Sequence, residues 1–199
     1  MDEHEQVLEF WFGELTADGR ADAVHAQRWW KKDPAFDALI RERFGGLYAA
    51  VVGDAREAWL EEPRGTLAYV ITIDQFSRNM FRDSPRMFEH DARALRAALG
   101  GIDHGFDRKL ALDERGFLYM PLMHSEDRAQ QDRCVALFEA FRDELEGEAR
   151  ARVAGSVDYA KRHREIVARF GRFPHRNQVL GRTVTAEEME FLTQPGSSF

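Results

Sequence analysis

The sequence predicts an all-α protein of about ten helices, and three observations carry the prediction. Apolar residues recur at three- and four-residue spacing through nearly every segment. No stretch alternates apolar and polar residues as a half-buried strand does. Strong start and stop signals punctuate the pattern: Asp33–Pro34, Ser84–Pro85 and Thr185 with Glu188 as starts, Gly13 and Gly171 as stops.

Taken in order, residues 3–12 form a short helix closed by Gly13, and 21–32 carries Val24 with the Trp29–Trp30 pair. Asp33 caps a helix over 34–52, with proline at its first position. Phe36, Ile40, Phe44, Leu47 and Val51 keep one face of it through Gly45–Gly46, at a cost of about 1 kcal/mol per glycine relative to alanine. A short helix at 55–61 holds Trp59 and ends before Pro63. Helices follow at 65–81 and from Ser84–Pro85 to Gly100–Gly101, then an irregular loop over 101–111. Residues 113–123 form a helix interrupted by Pro121, and Ser125 caps a long one over 126–146. Another long helix, 149–170, stops at Gly171, and a capping box opens a last one at 186–192. No linker, low-complexity stretch or clear 34-residue repeat divides the chain, so 1–199 reads as a single domain.

Composition narrows the function classes. With 44% hydrophobic residues, 15 Phe and 4 Trp, the chain can build a sizeable core, which excludes wholesale disorder. A net charge of −7 argues against a general nucleic-acid binder, which needs a broad basic face. The lone Cys134 excludes an intramolecular disulfide and a cysteine zinc site, and its helical spacing to Phe138, Phe141 and Leu145 predicts a buried, inert thiol. The acidic, amphipathic start is unlike a signal peptide, and no apolar run approaches the ~20 residues of a membrane span. A soluble cytoplasmic protein with no membrane partner is expected.

Against that acidic background, residues 161–182 stand out. Seven Lys/Arg face one carboxylate, a local charge of +6 that leaves −13 for the rest. The segment passes from an amphipathic helix, with His163 on its inward stripe, into the loop GRFPHRNQVLGR. There Arg172, His175, Arg176, Asn177 and Arg182 crowd within eleven positions, and arginine forks suit carboxylates or phosphates. Two other places gather polar groups. In LAYVITIDQFSRNMF the helix is greasy on most sides, yet Asp74, Arg78 and Asn79 lie at its end. They either satisfy each other, as an i,i+4 pair does, or line a pocket. In YMPLMHSED, His124 ends one helix while Glu126 and Asp127 open the next, which suits the macrodipole and also suits acid/base or anion-binding chemistry. Phosphate-binding glycine loops, GxSxG elbows and HExxH are missing, and the His and Glu spacings match no metal-ligand pattern. No metal and no cofactor are expected.

The segments VLEFWFG, RWWKKDPAFD, ITIDQFSRNMFR, FLYMPLMHSED and HREIVARFGRFPHRNQVLGR resemble the bacterial domain-of-unknown-function 924 family, over essentially the whole chain. The resemblance implies stacked antiparallel helix pairs of tetratricopeptide-repeat-like fold, and implies no activity. Met123 and Ser77 stand where the family pattern would have Glu and Pro.

Three functions fit these residues. In the first, a pocket binds a small anion or a peptide carboxylate. Arg78, Arg172, Arg176 and Arg182 supply charge, Asn79 and Asn177 orient, and His124 with His175 tune by pH. In the second, a hydrolase or lyase uses His124 or His175 as acid/base beside Asp74 or Glu126. The third is a protein-interaction scaffold with an apolar groove lined by residues such as Trp30 and Tyr119. The residues leave open whether the protein is an enzyme, and what its oligomeric state is.

Overall fold

The computed structural model describes residues 2–198. Among them are nine α-helices and no strand. The helices are α1 (Glu3–Phe12), α2 (Ala23–Arg28), α3 (Pro34–Val52), α4 (Pro63–Val70, Ile71–Gln75 and Phe76–Met80 in one run), α5 (Asp91–Asp103), α6 (Leu112–Met123), α7 (Arg128–Asp143), α8 (Gly147–Phe170) and α9 (Ala186–Leu192). Four short 3-10 turns lie between them, at Glu57–Glu61, Pro85–Phe88, Asp107–Lys109 and Pro174–Arg176.

Where the sequence offers no linker, the chain's contacts gather into two compact units. The first comprises the residues up to Arg82 and Arg86–Pro121, the second Asp83–Pro85 and Leu122 onward. In the first unit, α1 sends Val7, Leu8, Phe10, Trp11 and Phe12 into the core. Phe10 stacks on Phe36 of α3 and meets Phe44 and Phe76 edge-on, while Trp11 and Phe12 both meet Phe117. Such ring pairs add roughly 0.5–1.5 kcal/mol each beyond the area they bury. Trp29 covers this cluster and donates its indole N–H to the Trp11 carbonyl. Trp30 is 65% exposed but lies over Phe117, whereas Tyr119 is fully buried, donating to Asp107 and accepting from Arg115. A groove lined by Tyr119 is therefore not formed.

The second unit is a helical hairpin, α7 against α8, with Cys134, Val135, Phe138 and Phe141 facing Val153, Val157, Ala160 and His163. Cys134 is fully buried, and burial pushes its thiol far above the ordinary range. Gly171, in the left-handed region at φ 68°, stops α8 and sends the chain back so that Phe173 packs on Ile166 and Val167.

Capping explains most boundaries and corrects a few. Asp33 accepts from the N–H groups of Ala35 and Phe36, and Thr185 and Glu188 form the reciprocal box. By contrast, Ser84–Pro85 opens only a 3-10 turn, and α5 begins at Asp91. Asp127, not Ser125, caps α7. Helix α5 runs through Gly100–Gly101 to Asp103, and α6 runs through Pro121 to Met123. Within residues 55–61 only a 3-10 turn forms, Glu57–Glu61, rather than an α-helix, and the next helix starts at Pro63.

Candidate functional site

Helix α4 is not uniform. Over Ile71–Gln75 it widens into a π-turn, in which the Phe76 N–H reaches back to the Ile71 carbonyl. Side chains then serve the loosened carbonyls: Thr72 Oγ1 donates to Ala68 O at 2.7 Å, Ser77 Oγ to Ile73 O at 2.8 Å, and Arg78 Nη1 to Asp74 O at 2.7 Å. Ser77, where the family pattern suggests proline, is fully buried and thus fixes the helix by its hydroxyl.

The polar end of α4 is a closed network. Asp74, fully buried, accepts from Gln75 Nε2 at 2.7 Å and pairs with Arg78 Nη1 at 3.1 Å. Arg78 also spans to Asp91 of α5, at 3.0 and 3.1 Å. Burial works against the Arg78 charge, but Asp74 and Asp91 outweigh it and leave the guanidinium more basic than usual. Asn79 donates to Asp37 at 2.8 Å, and Arg82 grips the same carboxylate with two bonds of 2.6 and 2.8 Å. Burial raises the Asp37 pKa, yet Arg82 and Asn79 bring it below the ordinary range. Arg41 donates to the Met80 carbonyl at the helix end. Asp74, Arg78 and Asn79 are thus brought together with partners, Asp37 and Asp91, that lie outside the motif.

In the second unit the loop after Gly171 is pinned from both sides. Glu126 Oε1 accepts from the Phe173 N–H and from Arg182 Nη1, each at 2.9 Å. Arg172 forks onto Glu188 at 2.6 and 2.8 Å and donates to the Thr183 carbonyl at 2.8 Å. The Arg172 hydrogen bond is the main cause holding the Glu188 pKa down to about 2. Asn177, fully buried, also helps to lower it, although neither of its amide atoms finds a hydrogen bond of normal geometry.

Between these two pins the 3-10 turn Pro174–Arg176 carries an imidazole and a guanidinium around Phe173. The Arg176 guanidinium lies 4.6 Å from the Phe173 ring centre, and the His175 and His163 rings are each 5.6 Å from it. His163 is 3% exposed, and its Nδ1 lies 2.9 Å from the Tyr159 carbonyl. A carbonyl only accepts, so Nδ1 carries the proton and Nε2 is left as an acceptor. The His163 pKa is depressed to about 3, chiefly by burial; the Tyr159 bond offsets part of this, and His124, Arg176 and His175 add to the depression. His124, His163, His175 and Arg176 therefore form one electrostatic group, whose member at the centre stays neutral at physiological pH. Arg172 and Arg182 belong to the pins on either side.

Residues missed by sequence reasoning lie on α5. Arg93, Arg96, Ala97, Gly100, Gly101 and His104 share one face and, with Asp54, Glu57, Leu60 and Tyr69, line a cavity of about 390 Å³ in the first unit. The spacing was there to be read, but Gly100–Gly101 looks like a helix end and hides it. Among the described residues no group of three or more His, Cys, Asp or Glu side chains is placed to hold a metal ion. Nor is any helix long and apolar enough to cross a membrane.

The chain is 34% identical to a solved protein of unknown function from Agrobacterium tumefaciens, with a TM-score of 0.77 over 95% of this chain and 96% of that one. No protein of curated function matches it. The family model described as a bacterial protein of unknown function, DUF924, matches residues 7–196. Helices, motifs and solved relative agree, and the chain belongs to the bacterial DUF924 family of unknown function.

Proposed function

We propose that the second unit binds a small anion, a carboxylate or a phosphate, at the turn Pro174–Arg176. The observation that carries this reading is the clustering of basic side chains on one ring: the Arg176 guanidinium lies 4.6 Å from the Phe173 ring centre, and the His175 and His163 rings each lie 5.6 Å from it. A carboxylate or phosphate beside a guanidinium and imidazoles gains charge-assisted hydrogen bonds from them. Arg176, buried and held over Phe173, supplies a fixed charge, and half-buried His124 and His175 add imidazole nitrogens for hydrogen bonding. Glu126, Arg182, Arg172 and Glu188 hold the turn in place.

Acid/base catalysis draws less support. Asp74 is bound to Arg78 and Gln75, and Glu126 Oε1 to Arg182 and a backbone amide. These carboxylates act as counter-ions within the fold. A thermal melt with inorganic phosphate, sulfate, acetate or short peptides tests the proposal. An anion present at about ten times its Kd should raise Tm by roughly 3–6 °C. Arg176→Gln should remove that rise. A rise that survives Arg176→Gln, or no rise with any of these anions, overturns it.

A further inference from the structure

The α5 cavity lies in the first unit, apart from the anion site proposed above, and its charges point to a different ligand. Helix α5 builds its floor from Ala97, Gly100 and Gly101. A Cβ at Gly100 would meet nothing within 4 Å, so the glycine opens space there, whereas one at Gly101 would press to 3.0 Å on Thr66 Cγ2. At about 390 Å³ the space falls in the range of metabolite sites, which begins near 300 Å³.

Arg93 forms the fixed corner. Its guanidinium donates to the Val51 and Val52 carbonyls at the end of α3, to Tyr69 Oη, and to both Asp54 and Glu57. Two carboxylates thus share one guanidinium, and one negative charge is left over at the cavity wall. Arg96, three residues on along the same helix, forms no side-chain hydrogen bond or ion pair among the described residues, so its positive charge is also uncompensated. His104 adds an acceptor. Its Nδ1 lies 2.7 Å from the Gly100 carbonyl and must carry the proton there, which leaves the Nε2 lone pair unused by that bond. The apolar side of the space is the Leu60 side chain, the Tyr69 ring and the small-residue floor.

A purely anionic ligand meets the surplus carboxylate, and a purely cationic one meets Arg96. A molecule with both charges satisfies both walls. We propose that this cavity is a binding site for a zwitterionic small molecule of the amino-acid class, its carboxylate on Arg96 and its ammonium at the Asp54–Glu57 wall. The ammonium's donors match the carboxylates and His104 Nε2, and the side chain lies over Leu60 and the glycine floor.

NMR titration of the 15N-labelled protein with each of the twenty protein amino acids, at millimolar concentration, tests this. At least one is expected to shift the amides of Ala97, Gly100 and Gly101 together. Its N-acetyl and carboxamide derivatives, each lacking one charge, should bind about tenfold weaker or worse. Arg96→Gln and Glu57→Gln, both at exposed positions, should weaken binding by a similar factor while melting as the parent does. Gly100→Val, which fills the open space, should abolish it. The proposal is overturned if no amino acid moves these amides, or if blocking either charge leaves the affinity unchanged. It is equally overturned if binding survives Arg96→Gln but is lost in Arg176→Gln, which would assign the ligand to the second unit's turn.

Discussion

The polar end of α4 and the turn Pro174–Arg176 bury similar side chains and solve the burial problem in opposite ways. At α4 each charge meets its opposite: Asp74 and Asp91 on Arg78, Asp37 on Arg82. At the turn, imidazoles and a guanidinium gather about a buried histidine, which burial above all, and then its basic neighbours, make harder to protonate. A closed network of this kind holds a fold together and leaves nothing for a ligand. A cluster of basic groups on one ring is where an added anion would gain most. Residue type does not separate the two, because both hold arginine, asparagine and a nearby carboxylate; the arrangement of signs does.

Opening the closed network should have the largest effect. Asp74→Asn leaves half-buried Arg78 with one carboxylate instead of two and should cost about 3 kcal/mol in denaturant unfolding. Asp74→Leu combined with Arg78→Met should cost less than the single change, and an Asp74→Asn loss under about 1 kcal/mol would show that the network does not support the fold.

Acid probes the other region. Unfolded, His163 takes up a proton near pH 6.5, whereas folded it stays neutral down to about 3. The unfolded chain therefore binds more protons across that window, and stability falls as the pH is lowered through it. The contribution by pH 4 is about 3 kcal/mol, and His163→Gln should flatten the slope of stability against pH between 6.5 and 4. An unchanged slope would remove His163 from the account.

The pins around the turn come next. Glu188→Ala removes the reciprocal half of the capping box and the Arg172 fork, an expected loss of about 2 kcal/mol by thermal or urea melting. Smallest is the effect of Arg176→Gln on His163 itself. With one cation gone the His163 pKa should rise, read from its ring resonances in an NMR pH titration. A fall would mean that Arg176 does not act on it as a like charge.

Local rules made much of the fold legible. Asp33–Pro34 and Thr185 with Glu188 start helices because a side-chain oxygen beside a free N–H is a short-range matter. Ser84–Pro85 carries the same local signal, yet the chain makes only a 3-10 turn there. Ser77 donates to the Met87 carbonyl, and Arg78 draws Asp91 to α4, so tertiary bonds set where α5 begins. Gly100–Gly101 reads as a stop, but Gly101 is needed for close approach to Thr66, and the helix continues. The π-turn is invisible to a 3.6-residue reading, because the apolar stripe passes through it unbroken. At the candidate site, spacing made the Asp74–Arg78 pair and the crowding after Gly171 visible. Their partners were not: Asp37 lies 42 residues from Asn79, and Glu126 lies 56 from Arg182. Such pairings exist only once the chain has folded.

Cys134 has a practical consequence. The chain's one thiol is fully buried, and burial holds it in its protonated, unreactive form. Thiol-directed reagents therefore find a nearly silent background in the native protein. A cysteine introduced at exposed Arg96 or His104 becomes the group they label, so a fluorophore or spin probe can be set at the rim of the α5 cavity without first removing the native residue.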